Sequence, residues 1–487
     1  MQNIQQSTTD ILHSVSLLKP EWTLSLGFLL VILLDLFIKK SRVLVLTVAL
    51  LTLLVTTAFL IIQITHFGES QLLFNGMFSL SKAGIQFKLL VLVASALSLI
   101  FFYQDHRLAE NPKGINDFIS IFLAAVLGMF LLISSANLLM LYLSIEMISL
   151  ASYLMVNYSA YQNKQAEAGM KYVLFGAVAS AIMLYGISLI YGFTGSIDLY
   201  GTALSDGFSH LGTNGTALAI ILLMVGVGFK LSFVPFHFWT PDVYQEAPTS
   251  VTAFISTAPK IAVFGLLFCI TPLLQSLSGD LFSQIILITA SASMILGNTI
   301  AIFQENPKRM MAYSAIGHTG FMLMLFVLPQ DQILTALSFY LLIYVLMNIG
   351  SFLAINQLEL QFGAVQISDY KGLGKQIPFI SVSLVIFMVA LTGLPPTAGF
   401  IAKFLIFSSL IQAASTSLWI SILLIVAALT TVISLFYYLK IPLNLFLKKS
   451  AVELEEKQKS KIGIALILLI ATFILVLGIW PVLIKFT

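Results

Sequence analysis

Long apolar runs alternate with short polar stretches along the whole chain, and most runs have the length that a bilayer-spanning helix needs. Within a run the apolar residues are continuous, whereas strands of a membrane β-barrel would alternate polar and apolar positions. The pattern predicts fourteen membrane-spanning helices with no large soluble domain between them. The predicted segments are 21–38, 42–63, 84–103, 117–135, 137–156, 169–193, 216–236, 249–272, 281–303, 308–328, 332–356, 378–410, 418–440 and 461–482.

The amino-acid composition indicates the same class. Hydrophobic residues make up 59% of the 487 positions and charged residues 9%, whereas soluble domains carry about 25% charged residues. We therefore expect an all-α polytopic membrane protein in contact with lipids. The net charge of +3 does not indicate nucleic-acid binding. The single cysteine, Cys269, excludes an internal disulfide and any cysteine-based zinc or iron–sulfur site.

The distribution of lysine and arginine predicts the orientation of the fourteen segments. With the N-terminus outside, seventeen of the 24 basic residues fall in inside loops or at the adjoining helix ends, four fall outside in the same sense, and three lie deep within predicted helices. An even number of crossings then places both termini outside. In a bacterium the chain would lie in the inner (plasma) membrane with both termini in the periplasm.

Two sets of five predicted helices, 117–272 and 281–440, indicate an internal repeat. Because five is an odd number, the second set begins on the opposite face, and the repeats are inverted. The fourth helix of each set is interrupted by proline and carries a lysine, Lys230 in one and Lys403 in the other. The predicted organisation is N-terminal helices at 1–116, the two repeats at 117–272 and 281–440, and a cytoplasmic loop with a final helix at 441–487.

Four ionisable side chains lie within apolar segments, where inserting a charge costs about 2.5–3.5 kcal/mol. They are Glu146, Lys230, Lys260 and Lys403. Ionisable residues inside a membrane generally mark ion pathways, and a low-dielectric interior favours the neutral form of a lysine. These side chains are therefore candidate members of a proton relay. The alternative is a permanent ion pair between Glu146 and Lys230 that serves packing alone.

Proline interrupts the lysine-bearing segments, at Pro235, Pro259, Pro395 and Pro396. A proline lacks the backbone N–H and so frees a carbonyl group one turn earlier in the helix. Unwound backbone at membrane depth is tolerated only where it is buried in protein or lines a wet cavity. The pattern predicts a broken helix with access to water beside each lysine.

Two histidines are weaker candidates for the relay. His318 lies in the middle of an apolar segment, where it could bridge Lys260 to Lys403, and a histidine satisfied within the core is an equal interpretation. His237 lies in PFHFWTPD at the inner end of its helix and is a candidate for the proton entrance, although a structural role is the preferred interpretation. No spacing of histidines resembles a metal site.

Three charged residues near the predicted ends of the N-terminal helices have an ordinary interpretation. Glu21 and Asp35 bracket the first predicted helix, and both are expected at the membrane interface. Lys88 lies near the outer end of the third helix, from which its long side chain is expected to reach the interface.

Four stretches of the sequence resemble one known family. The stretch GFKLSFVPFHFWTPDVYQEAPTSVTAFISTAPKIAV is similar to the signature of the antiporter-like subunits of respiratory complex I. The stretches ANLLMLYLSIEMISLASYLM, NPKRMMAYSAIGHTGFM and LTGLPPTAGFIAKF resemble the same family, over roughly residues 115–440. The chain ends without the long lateral helix of the largest such subunit. It also has Lys403 where the middle subunit is expected to carry a glutamate. These two features distinguish the chain from the largest and the middle antiporter-like subunits.

The resemblance implies a fold of fourteen helices with two inverted repeats and a hydrophilic axis across the membrane centre. By matching motifs, it implies that Glu146 and Lys230 form a coupled pair, Lys260 a bridging lysine and Lys403 the terminal lysine, with His318 as a further bridging group. It implies proton translocation by one subunit of a larger oxidoreductase. The partners would be other membrane-arm subunits, including a neighbouring antiporter-like subunit and small membrane subunits.

The sequence contains no dinucleotide-binding or Walker motif, so we expect no cofactor and no metal in this chain. By the resemblance, NADH, FMN, iron–sulfur clusters and quinone would be bound by other subunits. Two other functions stay open. A subunit of a multisubunit Na⁺/H⁺ antiporter or of a membrane-bound hydrogenase would share the fold, and a structural scaffold of the membrane arm would carry the charged axis without using it.

Overall fold

The computed structural model describes residues 2–38, 42–105, 108, 114–159, 163–209, 213–415, 417–449 and 460–483. Both ends of the chain and some basic loop residues used for the orientation lie outside the described residues. These are Lys39, Lys40, Arg107, Lys113, Lys457, Lys459 and Lys485.

Nearly all of the described residues are helical, which confirms the predicted all-α class. The helices of the first half are α1 (Gln2–Leu17), α2 (Lys19–Phe37), α3 (Arg42–Thr65), α4 (Lys82–Gln104), α5 (Asn116–Ser134), α6 (Leu138–Asn157), α7 (Asn163–Thr194), α8 (Thr202–Ser209) and α9 (Thr213–Leu231). Between α3 and α4 the strands β1 (Gln71–Leu73) and β2 (Phe78–Leu80) form an antiparallel hairpin in which Gln71 lies opposite Leu80.

The described part of the second half continues with ten helices and several short 3₁₀ or π turns. The helices are α10 (Trp239–Glu246), α11 (Thr249–Ile255), α12 (Ala258–Ser278), α13 (Asp280–Ala301), α14 (Pro307–Leu323), α15 (Gln330–Phe362), α16 (Pro378–Thr392), α17 (Ala398–Ala414), α18 (Leu418–Pro442) and α19 (Lys461–Ile479). The turns are Met324–Val327, Ile367–Tyr370, Leu373–Lys375, Leu443–Leu447 and Pro481–Leu483.

Thirteen stretches of the described chain are long and apolar enough to cross a membrane. The predicted segment 378–410 is not one of them, because it consists of two shorter apolar helices, α16 and α17. The residues between these helices include Gly393, which adopts φ +85°, and the Pro395–Pro396 pair. The class of polytopic membrane protein is confirmed, whereas the count of fourteen crossings and the inverted repeats stay predictions.

The helices fall into two compact units. The first unit comprises Met1–Leu99, Asp105–Lys230 and Ala258–Phe282. The second unit comprises Ile100–Gln104, Leu231–Thr257 and Ser283–Thr487. The chain therefore leaves the first unit directly after Lys230 and returns to it two residues before Lys260.

Within the first unit, α5 and α12 form much of the buried core. Gly265 on α12 faces Phe87 and Ile133, and the rings of Phe87 and Phe268 lie 5.6 Å apart. Helices α2 and α3 instead expose many large apolar side chains, including Leu29 and Leu54. An apolar side chain on the surface of a membrane protein is stable because lipid tails are its solvent.

Within the second unit, α14 and α15 are buried on nearly all sides. In their most apolar stretches 89% and 83% of residues are buried, compared with 22% for the stretch Leu418–Leu447. Small residues let neighbouring helices approach closely, as is common in membrane bundles. Gly297 of α13 lies against the backbone of α14, where an added Cβ would lie 2.6 Å from the Gly317 nitrogen.

This close approach predicts that Gly297→Ala destabilises the second unit. The new methyl group meets backbone atoms that cannot rotate away, and overpacking of this kind costs about 1–3 kcal/mol. We expect the variant to have a lower thermal unfolding temperature and a smaller amount of the protein in the membrane, both measured on purified membranes. The control is Gly192→Ala in α7, because nothing lies within 4 Å of its Cβ position. Equal stability of the two variants would contradict this account of the packing.

Candidate functional site

The first unit contains Glu146, Lys230 and Lys260 on three different helices. Glu146 lies on α6 and is half-buried, whereas Lys230 in the last turn of α9 is 4% exposed and Lys260 in the first turn of α12 is fully buried. Removing a lysine from water is costly unless nearby groups compensate its charge. The surroundings of each lysine are therefore the informative part of the site.

Glu146 and Lys230 are not joined by a hydrogen bond. Among the described residues, the buried atoms Glu146 Oε1 and Lys230 Nζ both lack a hydrogen-bond partner. Three aromatic rings surround the ammonium group instead, with centroids 5.4 Å away for Tyr153, 5.7 Å for Tyr172 and 5.6 Å for Phe229. In the structure the Lys230 ammonium group therefore lies against ring faces and makes no hydrogen bond to the Glu146 carboxylate, and the coupling of the two residues stays a prediction.

Lys230 and Lys260 also differ in the helix end that each occupies. Lys230 is the basic residue in the last turn of α9, where the carbonyl groups carry partial negative charge. Lys260 follows Pro259 in the first turn of α12, where the partial charge is positive. The helix dipole thus stabilises an ammonium group at Lys230 and disfavours one at Lys260.

The predicted breaks at Pro235 and Pro259 lie where helices end. Helix α9 stops at Leu231, the next residue Ser232 has φ +61°, and the Val234–Pro235 peptide is cis. Helix α11 stops at Ile255, and α12 begins at Ala258 with Pro259 in its first turn.

In the second unit Lys403 lies on α17, 7% exposed, and binds the end of another helix. Its Nζ donates a hydrogen bond of 2.8 Å to the carbonyl oxygen of Thr392, the last residue of α16, and lies 5.1 Å from the centroid of the Phe321 ring. Gly393 caps the end of α16, and a Cβ at this position would lie 2.6 Å from Lys403 Cδ. A glycine at this position therefore leaves room for the lysine stem.

His318 lies between two tyrosines in the same unit. Its Nδ1 is 2.7 Å from the Tyr340 hydroxyl and its Nε2 is 3.1 Å from the Tyr438 hydroxyl, which also contacts the Ser314 hydroxyl. Both ring nitrogens thus have a partner that can donate or accept a proton. The sequence suggested His318 but not these tyrosines, since an aromatic residue in an apolar segment usually serves packing.

A small cavity lies beside His318 and Lys403. Its volume is about 10 Å³, and its polar lining includes Asn298, Thr430 and Ser434. This volume is close to the minimum that holds one water molecule. Histidine and lysine therefore border the same polar space in the second unit.

His237 lies outside the membrane-spanning stretches, between α9 and α10, and is 4% exposed. Burial holds the pKa of its imidazole below the usual value. In the described chain its Nδ1 has no hydrogen-bond partner. The structure therefore has His237 as a buried side chain of the connection that follows α9.

Two basic residues tie α10 to the start of α14. Arg309 Nη1 lies 2.6 Å from Asp242 Oδ1, and Lys308 Nζ donates a hydrogen bond of 3.3 Å to the carbonyl oxygen of Ala247. In the sequence these residues counted only as loop charges that set the orientation. Their pairing partners are more than sixty residues away in the chain, so no local pattern could indicate them.

The interpretation of Glu21 and Lys88 as interfacial residues is wrong. Lys88 Nζ lies 2.5 Å from Glu21 Oε1, and the two side chains are only 2% and 6% exposed. The Lys88 ammonium also lies 5.6 Å from the centroid of the Phe130 ring. The two residues therefore bind each other in the interior of the first unit, and each compensates the buried charge of the other.

The fold and these buried groups define a class of protein. It is a polytopic helical membrane protein with ionisable side chains at the ends of interrupted helices, an arrangement typical of ion-translocating proteins. Among the described residues no group of three or more His, Cys, Asp or Glu side chains could hold a metal ion.

Comparison with known proteins identifies the family. The model for the transmembrane part of NADH:quinone oxidoreductase and Mrp antiporters matches residues 135–434. NADH-quinone oxidoreductase subunit N 2 of Chloroherpeton thalassium is 38% identical over 92% of this chain and 88% of its own length. Subunit N of Anaeromyxobacter sp. is 35% identical over 99% and 97%. The chain therefore belongs to this family, among the subunit N proteins of NADH-quinone oxidoreductase.

Solved structures agree with this assignment. A chain of respiratory complex I from Thermus thermophilus has a TM-score of 0.78 and 30% identity, with 95% of this chain and 98% of that one covered. A chain of the Mrp complex from Dietzia sp. has a TM-score of 0.80 at 20% identity, over 95% and 94%, and so shares the fold. The resemblance found in the sequence motifs is confirmed.

The Glu21–Lys88 pair predicts a specific pattern of stability. Removing one partner leaves an uncompensated buried charge, so Glu21→Gln or Lys88→Met alone is expected to cost about 3–5 kcal/mol. The double variant leaves no such charge and is expected to recover most of the loss. Thermal unfolding of the chain in purified membranes measures both effects. Equal losses in the single and double variants would contradict a mutual pairing.

Proposed function

We propose that this chain translocates protons as a membrane-arm subunit of bacterial NADH:quinone oxidoreductase, the respiratory complex I. The observation that carries the proposal is the set of three lysines buried beside the ends of interrupted helices, Lys230, Lys260 and Lys403. A chain that needed only to anchor neighbours would have no use for charges that are so costly to bury. The relatives at 35–38% identity over most of the chain add independent support.

In the proposed mechanism each relay residue in turn gains or loses a proton and changes its contacts. Redox chemistry elsewhere in the complex alters the charge at one end of the membrane arm. The Glu146–Lys230 pair then opens or closes in response, and the proton of Lys230 passes by way of Lys260 toward Lys403. His318 lies beside Lys403 and is a further group that can relay the proton through its two tyrosine partners. The proton leaves on the periplasmic side.

The energies involved are of matching size. Moving one charge against a membrane potential of about 100 mV requires about 2.3 kcal/mol. A hundredfold change in the proton affinity of one group corresponds to about 2.7 kcal/mol. If opening one buried ion pair changes a proton affinity by this amount, the energy is on the scale needed to drive one proton across the membrane.

The predicted repeats, 117–272 and 281–440, belong to the same proposal. In support, Lys230 lies in the last turn of α9 before Pro235, and Lys403 binds the last carbonyl of α16 before Pro395 and Pro396. Each lysine also lies near an aromatic ring face. The two lysines thus occupy comparable places at the carbonyl end of an interrupted helix, one in each set.

The remaining assignments follow from membership of the complex. The partners are other membrane-arm subunits, with a neighbouring antiporter-like subunit and small membrane subunits among them, together with lipids. NADH, FMN, iron–sulfur clusters and quinone belong to the other subunits, so this chain contributes the translocase activity and no redox centre. The location is the bacterial inner membrane, and the distribution of basic residues predicts that both termini are periplasmic.

Lys230→Ala tests the proposal directly. Proton pumping and electron transfer are expected to fall together by at least about tenfold, which corresponds to ~1.4 kcal/mol, while the complex still assembles. Both are measured on membranes that contain the complete complex. The matched control is Lys171→Ala on α7, because the Lys171 side chain is 41% exposed and its ion pair with Glu167 lies one helical turn away on the same helix.

The outcome separates the proposed function from its rivals. Wild-type pumping and electron transfer in Lys230→Ala would mean that the lysine is structural, and the scaffold interpretation would then replace the relay. Sodium-dependent pumping by the wild-type complex would instead favour the antiporter interpretation.

Gly393→Ala offers a second test that leaves every ionisable residue in place. The new Cβ would lie 2.6 Å from Lys403 Cδ, so the lysine must move from its hydrogen bond to Thr392. Pumping is expected to fall severalfold with the complex intact. Gly363→Ala is the matched control, because Gly363 also has positive φ, +65°, and no atom lies within 4 Å of its Cβ position. Equal effects of the two variants would attribute the loss to backbone strain.

A further inference from the structure

The surroundings of Lys230 form a defined aromatic cage, the rings of Tyr153, Tyr172 and Phe229. All three rings are at most 8% exposed, and their centroids lie 5.4–5.7 Å from the ammonium nitrogen. Tyr153 meets Tyr172 edge to face at 4.7 Å, and Tyr172 stacks on Phe229 at 5.8 Å. The three side chains come from α6, α7 and α9, so the cage is built by tertiary packing.

A glycine on α7 makes room for this cage. A Cβ at Gly176 would overlap the Tyr153 hydroxyl and would lie 3.1 Å from Phe229 Cζ. Any larger residue would displace the tyrosine from its place beside Lys230. The face of α7 at Gly176 therefore leaves room for the Tyr153 ring.

Ring faces stabilise a cation in a different way from a carboxylate. The face of an aromatic ring carries negative potential and attracts a desolvated ammonium group without accepting its proton. A lysine on ring faces keeps its charge, and its three N–H groups stay available for hydrogen bonding. Its release from the rings does not require a strong ion pair to break. In this structure neither Lys230 Nζ nor Glu146 Oε1 has a hydrogen-bond partner among the described residues, so the ammonium group lies against the cage without a hydrogen bond to the acid.

We propose that the aromatic cage is a second docking position for the Lys230 ammonium, in competition with Glu146, and that Tyr153 and Tyr172 are positioning residues for proton transfer. This inference rests on the proposed function. It adds the group that receives the lysine when its pair with Glu146 opens, so that the charged side chain is stabilised in both positions. The contact of Lys403 with the Phe321 ring supplies an analogous ring face in the second unit.

The test compares loss of the ring with loss of the hydroxyl group. In Tyr153→Leu and Tyr172→Leu the ring face is removed, and coupled proton pumping is expected to fall about fivefold to thirtyfold. Tyr153→Phe keeps the ring and is expected to retain most of the pumping. Tyr185→Leu is the control, because Tyr185 lies on α7 but is 59% exposed. Pumping and electron transfer are measured on membranes with equal amounts of assembled complex.

A series of fluorinated phenylalanines at position 153 provides a readout that packing alone would not change. Fluorine withdraws electron density from the ring face with little change in shape, so pumping should fall steadily with each added fluorine if the ring binds the cation. A flat series, or a Tyr153→Phe variant as impaired as Tyr153→Leu, would overturn the cage.

The two proposals fail in different ways. If Lys230→Ala pumps normally, the proposed function itself is wrong. If Lys230→Ala abolishes pumping while Tyr153→Leu and Tyr172→Leu pump at the wild-type rate, the relay stands and only the cage is wrong. If the two leucine variants fail to assemble, the fluorinated series decides, because it preserves the shape of the ring.

Discussion

The cost of holding a charge away from water governs the arrangement of this protein. Each buried lysine requires a compensating environment, since an uncompensated ammonium group at membrane depth would destabilise the fold. Lys88 has the carboxylate of Glu21, Lys403 has the carbonyl of Thr392, and Lys230 has three ring faces. These solutions differ in strength. A carboxylate holds a lysine firmly, whereas a carbonyl or a ring face leaves it free to exchange.

The interrupted helices supply much of this compensation. A helix that ends inside the protein presents unpaired carbonyl groups with partial negative charge. A lysine placed there lowers the cost of burying these carbonyl groups and the cost of burying its own charge. This applies to Lys230 at the end of α9 and to Lys403 at the end of α16. Lys260 lies at the opposite kind of helix end, in the first turn of α12. The helix ends therefore impose different electrostatic environments on chemically identical side chains.

The sequence was informative wherever a local pattern carried the signal. Continuous apolar runs predicted the helices well because hydrocarbon leaves a spanning chain few alternatives to an α-helix. Segment 378–410 also carried its own interruption in Gly393 and the two prolines. The candidates Glu146, Lys230, Lys260 and Lys403 could be chosen because charge within an apolar run is rare. Their roles in a relay stay predictions.

The sequence by itself determined the class of protein, its helical segments, its family and which side chains are costly to bury. Only the tertiary structure decided what those side chains touch. Glu21 and Lys88 looked like interfacial charges because each lies near a helix end, yet packing of α2 against its neighbours buries both and joins residues 67 positions apart. Likewise, nothing local marks Tyr153 and Tyr172 as partners of Lys230. Contacts between distant segments depend on how helices pack, and the hydrophobic pattern of a single helix contains no record of its neighbours.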